Sequence, residues 1–252
     1  MILTAENYHS PEMNMKYTGS SQFKAFMECE AMALAEVKGE YVRQKTVSLL
    51  VGSYVDAHYE KSLDLFKAQN PEIFTQKGEL RSEYKHAEYI IERLERDEMF
   101  QQYMSGKKQV IMTGMIMGIP FKIKMDSYHE GDKIVDMKIM KDFDGIWKDG
   151  LKLSFVEAWG YDIQAAIYQF VEGNNLPFFI AGVTKEKPEP DLAIISIPQD
   201  RLDYCFEIVT ENVQRFADIK KGLIGPIRCE RCDYCKATKV LTKVIDYSMI
   251  GC

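Results

Sequence analysis

"KIVDMKIMKD" (residues 133–142) decides how this chain is read. Ile134, Val135 and Met137 make it apolar enough for the inside of a sheet, yet Asp136 and Lys138 stand within it. In a strand, residues two apart point to the same face, so this carboxylate and this ammonium project together. Burying two charges is costly unless they pair or bind a metal. Taken alone, an Asp-x-Lys triplet also suits an ordinary ion pair on an edge strand.

The residues on either side give the triplet its context. "IPFKIKMDSYHEG" (119–131) reads as the preceding strand, with Asp126 at its end and Glu130-Gly131 as the turn into the next. A hairpin of that length returns the third strand beside the second and lets Asp126 approach Asp136. Two such carboxylates suit Mg²⁺, which takes a few carboxylates plus waters and phosphate oxygens. Such a site can activate water, and a lysine beside it can orient the nucleophile or neutralise developing charge.

"KQVIMTGMIMG" (108–118) predicts a first strand, joined to the second at Gly118. Downstream, helical spacing returns in "SFVEAWGYDIQAAIYQFVEGNN" (154–175), ending at Gly173-Asn174. Strands follow at 177–186 and 191–198, then a closing helix at 200–222 with Asp200 as its cap. Upstream, residues 1–17 read as a polar arm. Three helices follow, at 18–40 with Ser20 or Ser21 as N-cap, at 46–71 ending in Asn70-Pro71, and at 82–104. Gly52 in the second costs helix propensity, which predicts close packing there.

The order α, α, α, β, β, β, α, β, β, α makes one α/β domain with an N-terminal helical subregion the simplest reading. Its 252 residues leave ample room for a core. With 46% hydrophobic and 28% charged residues it is an ordinary globular composition. The net charge of −6 argues against a globally basic nucleic-acid coat, though not against a local basic groove. No apolar run is long enough for a membrane span. The N-terminus lacks a basic region followed by a long apolar one, so the expected location is cytoplasmic.

Of six cysteines, three crowd into "CERCDYC", as Cys229, Cys232 and Cys235. Such clustering favours a metal site over a disulfide framework. Three thiolates at this pitch can converge on one centre, and most centres need a fourth ligand. Cys205 reads as a small buried side chain and Cys252 as a loose terminal thiol.

"KMD" followed by "IVDMK" resembles the D-x(n)-(D/E)-x-K signature of the PD-(D/E)xK nuclease superfamily. Asp126, Asp136 and Lys138 take its three positions, and Met125 stands where a proline often precedes the first Asp. "QAAIY" resembles the Q-x-x-x-Y motif of RecB-type nucleases. It places Gln164 and Tyr168 on one helical face, where they could contact DNA phosphates or order the lysine. "GSYVD" resembles the early G-x-x-x-H element, with Asp56 where the metal-binding His would stand and His58 two residues on. Spacing favours Asp56, and His58 remains the alternative.

The likeness runs from about Ser20 to Cys235 and is closest to phage and prophage exonucleases of the exonuclease VIII (RecE) type. It implies a restriction-endonuclease-like core, a central mixed sheet flanked by helices. One nuclease domain would then span 1–252, with a helical subregion at about 20–105, a catalytic α/β core at about 106–222 and a cysteine-bearing segment at 223–252. The implied activity is Mg²⁺- or Mn²⁺-dependent exonucleolytic hydrolysis of linear duplex DNA in phage-type recombination, beside a single-strand annealing protein. Relatives with iron–sulfur clusters use one upstream cysteine and three downstream. This implies a 4Fe-4S cluster on Cys29, Cys229, Cys232 and Cys235, although the final spacing here is shorter than theirs. Zn²⁺ on the same residues competes, as does no metal at all. A DNA-binding module without catalysis and a cysteine-based redox or metal protein are the other functional readings. The motifs leave oligomeric state open, a homo-oligomer included.

Overall fold

The computed structural model describes residues 2–148, 150–242 and 244–246. Its N-terminal part holds α1 (Pro11–Lys16), α2 (Ser20–Glu28), α3 (Glu30–Val37), α4 (Val47–Tyr59), α5 (Leu63–Gln69), α6 (Ser82–Glu95) and α7 (Glu98–Tyr103). Strands β1 (Lys107–Ile116), β2 (Ile119–His129), β3 (Lys133–Met140), β4 (Ile146–Lys148) and β5 (Leu151–Leu153) follow. Then come α8 (Phe155–Ala158), α9 (Tyr161–Glu172), β6 (Phe178–Thr184), β7 (Leu192–Ser196), α10 (Gln199–Lys220) and α11 (Asp233–Ala237).

Five strands form a mixed sheet in the order β1-β2-β3-β6-β7. β3 runs parallel to β6, and the other neighbours are antiparallel. Alternation along β3 feeds two cores. Ile134 joins Phe23, Phe216 and Ile167 under α2, α9 and α10. Val135 and Met137 join Tyr54, Ile90 and Leu94 under α4 and α6. The sheet is therefore covered on both faces, which is why β3 tolerates so few polar residues. The β1–β2 turn sits where predicted, with Met117 and Gly118 both at positive φ, as a two-residue hairpin demands.

Every long predicted helix except the last is broken. The first is interrupted at Cys29, whose extended backbone (φ −162°, ψ 108°) ends α2 and starts α3. The second breaks after Tyr59, with Lys61 at φ 58°, and the third breaks at Asp97, which caps α7. The fourth breaks at Gly160 (φ 60°), where α9 begins. Gly19, not Ser20 or Ser21, is the N-cap of α2. Asp200 lies in the first turn of α10 behind the Pro198 cap, where its charge complements the helix N-terminus without capping it.

Gly52 meets nothing within 4 Å of a built Cβ, so close packing does not explain it. The polar arm contains α1, anchored by the fully buried Met13. The β4–β5 hairpin was not evident in the sequence because each strand has only three residues. Cys205 is fully buried, as expected, while Cys252 lies outside the described residues. Among the described residues no helix is long and apolar enough to cross a membrane.

Candidate active site

β2 and β3 pair only through Ser127–Val135, Tyr128–Ile134 and His129–Lys133. Carried one step further, that register sets Asp126 opposite Asp136, and there the ladder stops. Asp126 lies within β2, which continues to His129, rather than at its end. Its Oδ2 accepts from the Met137 backbone N–H at 3.0 Å, replacing the missing ladder bond with a carboxylate. The strands part where the two acids face each other.

Lys138 lies two residues beyond Asp136 on the same face and forms an ion pair with its Oδ2. Asp136 is only 3% exposed. Gln164, from α9, donates from Nε2 to Asp136 Oδ1 at 2.8 Å. The Asp136 Oδ2 is buried and takes no aligned hydrogen bond, so the Lys138 ammonium is its one partner among the described residues. Tyr168, one turn along α9, donates instead to the Lys124 backbone oxygen at 3.0 Å and so ties α9 to β2.

The acids disturb one another. Burial, reinforced by Asp136, pushes the Asp126 carboxyl up to about 7. Burial, and then the Asp126 charge, holds Asp56 of α4 well above the usual carboxylate range. Burial alone would lower Lys138, but Asp136 and Asp126 outweigh it and hold the ammonium above its ordinary value. This is the electrostatics of a site short of positive charge. Asp56 also lines a cleft of about 420 Å³ with Ser53, Glu60 and Gln69. His58 lies elsewhere, with Nε2 2.9 Å from Glu95 Oε1. The i, i+2 offset on α4 turns it about 200° from Asp56.

Two residues at the centre carried no sequence signal. Gln109 of β1, at φ 52°, donates from Nε2 to Asp126 Oδ1 at 3.3 Å, while its Oε1 is buried without a partner. The Tyr161 ring lies under Lys138, with Nζ 5.0 Å from its centroid. A lone Gln in a strand and a Tyr at a helix start look like common surface residues; only the register and the Gly160 break bring them here.

The four sulfurs of Cys29, Cys229, Cys232 and Cys235 form a second cluster, all within 4.8 Å of one another. Cys29 and Cys235 stand 3.5 Å apart, Cys229 and Cys235 3.9 Å apart. Backbone N–H groups of Cys232 and Cys235 donate to the sulfurs of Cys229 and Cys232. Burial would raise the Cys229 thiol, but backbone N–H groups of Arg231 and Cys232 bring it down to about 6. Glu30, beside Cys29, accepts from Arg215 at 2.6 and 2.8 Å and from Ile227 N at 2.6 Å, fastening α3 to α10 and to the cysteine loop.

A mixed sheet covered on both faces, with Asp, Asp and Lys where its two central strands part, defines a PD-(D/E)xK-type protein. Residues 19–238 match the family model described as a PDDEXK-like domain of unknown function (DUF3799), and the chain belongs to that family. It is similar over its whole length to a crystal structure of a "putative exonuclease" from Eubacterium rectale, at 48% identity, with 100% of each chain covered and a TM-score of 0.95. A crystal structure of SSO0001 is far more distant, at 15% identity, 89% and 92% coverage and a TM-score of 0.32, and adds nothing to the reading. No curated protein matches the chain.

Proposed function

We propose that this protein is a metal-dependent deoxyribonuclease, an exonuclease acting on the ends of linear duplex DNA. The observation that carries the reading is the meeting of Asp126, Asp136, Lys138 and Gln164 at the one point where β2 and β3 separate. Mutually destabilised carboxylates and a buried oxygen without an aligned hydrogen bond are what a divalent cation would satisfy. Asp126 and Asp136 would hold Mg²⁺ or Mn²⁺, with Asp56 rather than His58 as the third acid. A bound divalent ion supplies Lewis acidity, lowering the pKa of water and drawing charge from the phosphate. The chain supplies the rest. Lys138 stays charged and faces the developing negative charge, and Gln164 fixes the orientation of Asp136.

An exonuclease of this type would act in phage-type recombination beside a single-strand annealing protein. End-labelled linear duplex and covalently closed circular DNA, each with Mg²⁺ or Mn²⁺, test the reading. Linear DNA should be degraded, the closed circle spared, and Lys138→Ala inactive. A wild-type protein that leaves linear duplex intact with either ion would sink it and favour a binding module without catalysis.

We infer a structural role for the cysteine quartet, with zinc as its ion. A tetrahedral zinc with Zn–S of about 2.3 Å sets sulfur–sulfur separations near 3.8 Å, and the 3.5 and 3.9 Å found here match that size. In a 4Fe-4S cluster each cysteine holds a different iron, which spreads the sulfurs further apart than one ion does. The close spacing of the quartet favours a single ion over the cubane. Freshly purified protein should be colourless with about one zinc per chain; a brown protein containing iron would reverse the assignment.

A further inference from the structure

Lys138 shares its aromatic neighbour with a second lysine. The Nζ of Lys24, from α2, lies 5.1 Å from the Tyr161 ring centroid, against 5.0 Å for Lys138. Lys24 donates to the backbone oxygen of Trp159 at 3.1 Å. Its stem passes so close to Gly160 that a Cβ there would come within 2.9 Å of Lys24 Cδ. The side chain is thus held in place. Yet among the described residues this half-buried Lys24 forms no ion pair, and a cation partly withdrawn from water without an anion is costly. Burial, and then the Lys138 charge, lowers its ammonium to about 8, with Asp136, Asp162 and Glu28 compensating only in part.

Beyond Lys24 opens a groove of about 1300 Å³, whose wall includes Trp159, Lys148 and Arg43. Trp159 is 56% exposed, large for an indole beside a reaction centre. A fixed ammonium without an anion, at the mouth of a groove, calls for an anionic oxygen, and an exposed indole for a flat apolar face. A nucleotide carries both.

We propose that Lys24 and Trp159 form a nucleotide subsite on the strand being cut, with Lys24 holding a phosphate oxygen and the Trp159 ring stacking on a base. An indole can stack only on a base whose face is open, so the subsite takes an unpaired nucleotide at a frayed or single-stranded end. This rests on the nuclease reading above and names the form of DNA that its site receives.

The test is binding of an end-labelled single-stranded oligodeoxynucleotide, by fluorescence anisotropy with Ca²⁺ in place of Mg²⁺, across a salt series. Lys24→Gln should weaken binding at least fivefold and reduce the slope of log K against log salt by about 0.7, one phosphate contact's worth on a single strand. Lys24→Arg should keep the slope. Trp159→Ala should weaken binding at least about fivefold with the slope unchanged, and Trp159→Phe should restore most of the loss. In Trp147→Phe protein, where Trp159 is the only indole, emission should quench on binding. Melting by circular dichroism checks that each variant folds. If wild-type protein cuts and binds DNA while Lys24→Gln and Trp159→Ala bind it unchanged, the subsite is wrong and the nuclease reading stands. If wild-type protein neither binds nor cuts DNA, both fall.

Discussion

The carboxylate centre and the cysteine quartet assemble by opposite routes. Asp126, Asp136 and Lys138 all lie on one β-hairpin, and strand register alone brings them together. Cys29 and Cys235 are 206 residues apart in the chain and meet only when α2 and α3 dock against the C-terminal segment. The hairpin part of the first site is in place once the sheet forms, with Asp56 and Gln164 joining from α4 and α9, and a metal there would serve chemistry. The second closes a long loop, so a metal there would contribute to folding itself.

Mutations separate the two. Lys138→Ala, or Asp136→Ala, should cost about a thousandfold in cleavage or more, by the scale of a lost transition-state partner. The melting temperature should move by only a few degrees, because the sheet is held by its two cores. Cleavage rates on end-labelled duplex beside thermal melts check this, and a variant that unfolds would break the contrast. Gln164→Ala should cost about 10- to 100-fold, the usual range for a group that orients a metal ligand, again with the fold intact.

The cysteines should behave in reverse. If the quartet holds zinc as proposed, Cys235→Ser should lose that ion and lower the melting temperature by roughly 10 °C, judged by metal analysis and calorimetry. Limited proteolysis should then cut first within residues 223–242. An unchanged melt would reduce the quartet to four neighbouring thiols.

The smallest effect comes from a buried charge with no metal in view, and it calibrates the others. Lys220 donates to Tyr17 O, Thr18 Oγ1 and Gln22 Oε1 at 3.1, 3.3 and 2.9 Å. Burial, and then Lys122, lowers its ammonium to about 7. An unfolded chain keeps that proton up to about pH 10.4. Between about pH 7 and pH 10 the unfolded state therefore binds more protons than the folded one, and stability rises with pH across that window. Lys220→Met should flatten the rise in urea titrations, and added Mg²⁺ or Zn²⁺ should not alter it.

The strands of the sheet and the β2–β3 hairpin were legible because alternation on β2 and β3 is strong and the Gly118 and Gly131 turns are unambiguous, whereas the parallel seating of β6 beside β3 was not. The Asp126–Asp136 approach followed from hairpin length alone. Helix breaks were less legible: "FMECEAMALAEV" is helix-forming throughout, and nothing in the stretch marks Cys29, where the chain turns extended and its sulfur meets three distant ones. Periodicity could not choose between Asp56 and His58 either, since that depends on how α4 is turned against the sheet. Lys24 escaped notice for the same reason. Its neighbours, Trp159 and Gly160, are 135 and 136 positions away and meet it only through packing.

The shared helix α2 has a practical consequence. Lys24 lies within it and Cys29, five residues on, caps its C-terminal end. A chelator added to stop cleavage would act at both ends of this rod. Mg²⁺ would return by simple addition, whereas a zinc lost from the proposed quartet would have to find a loop that has come apart. Activity should therefore show hysteresis. A brief quench with EDTA should reverse fully on adding excess Mg²⁺, and a long one should reverse only after zinc is supplied as well.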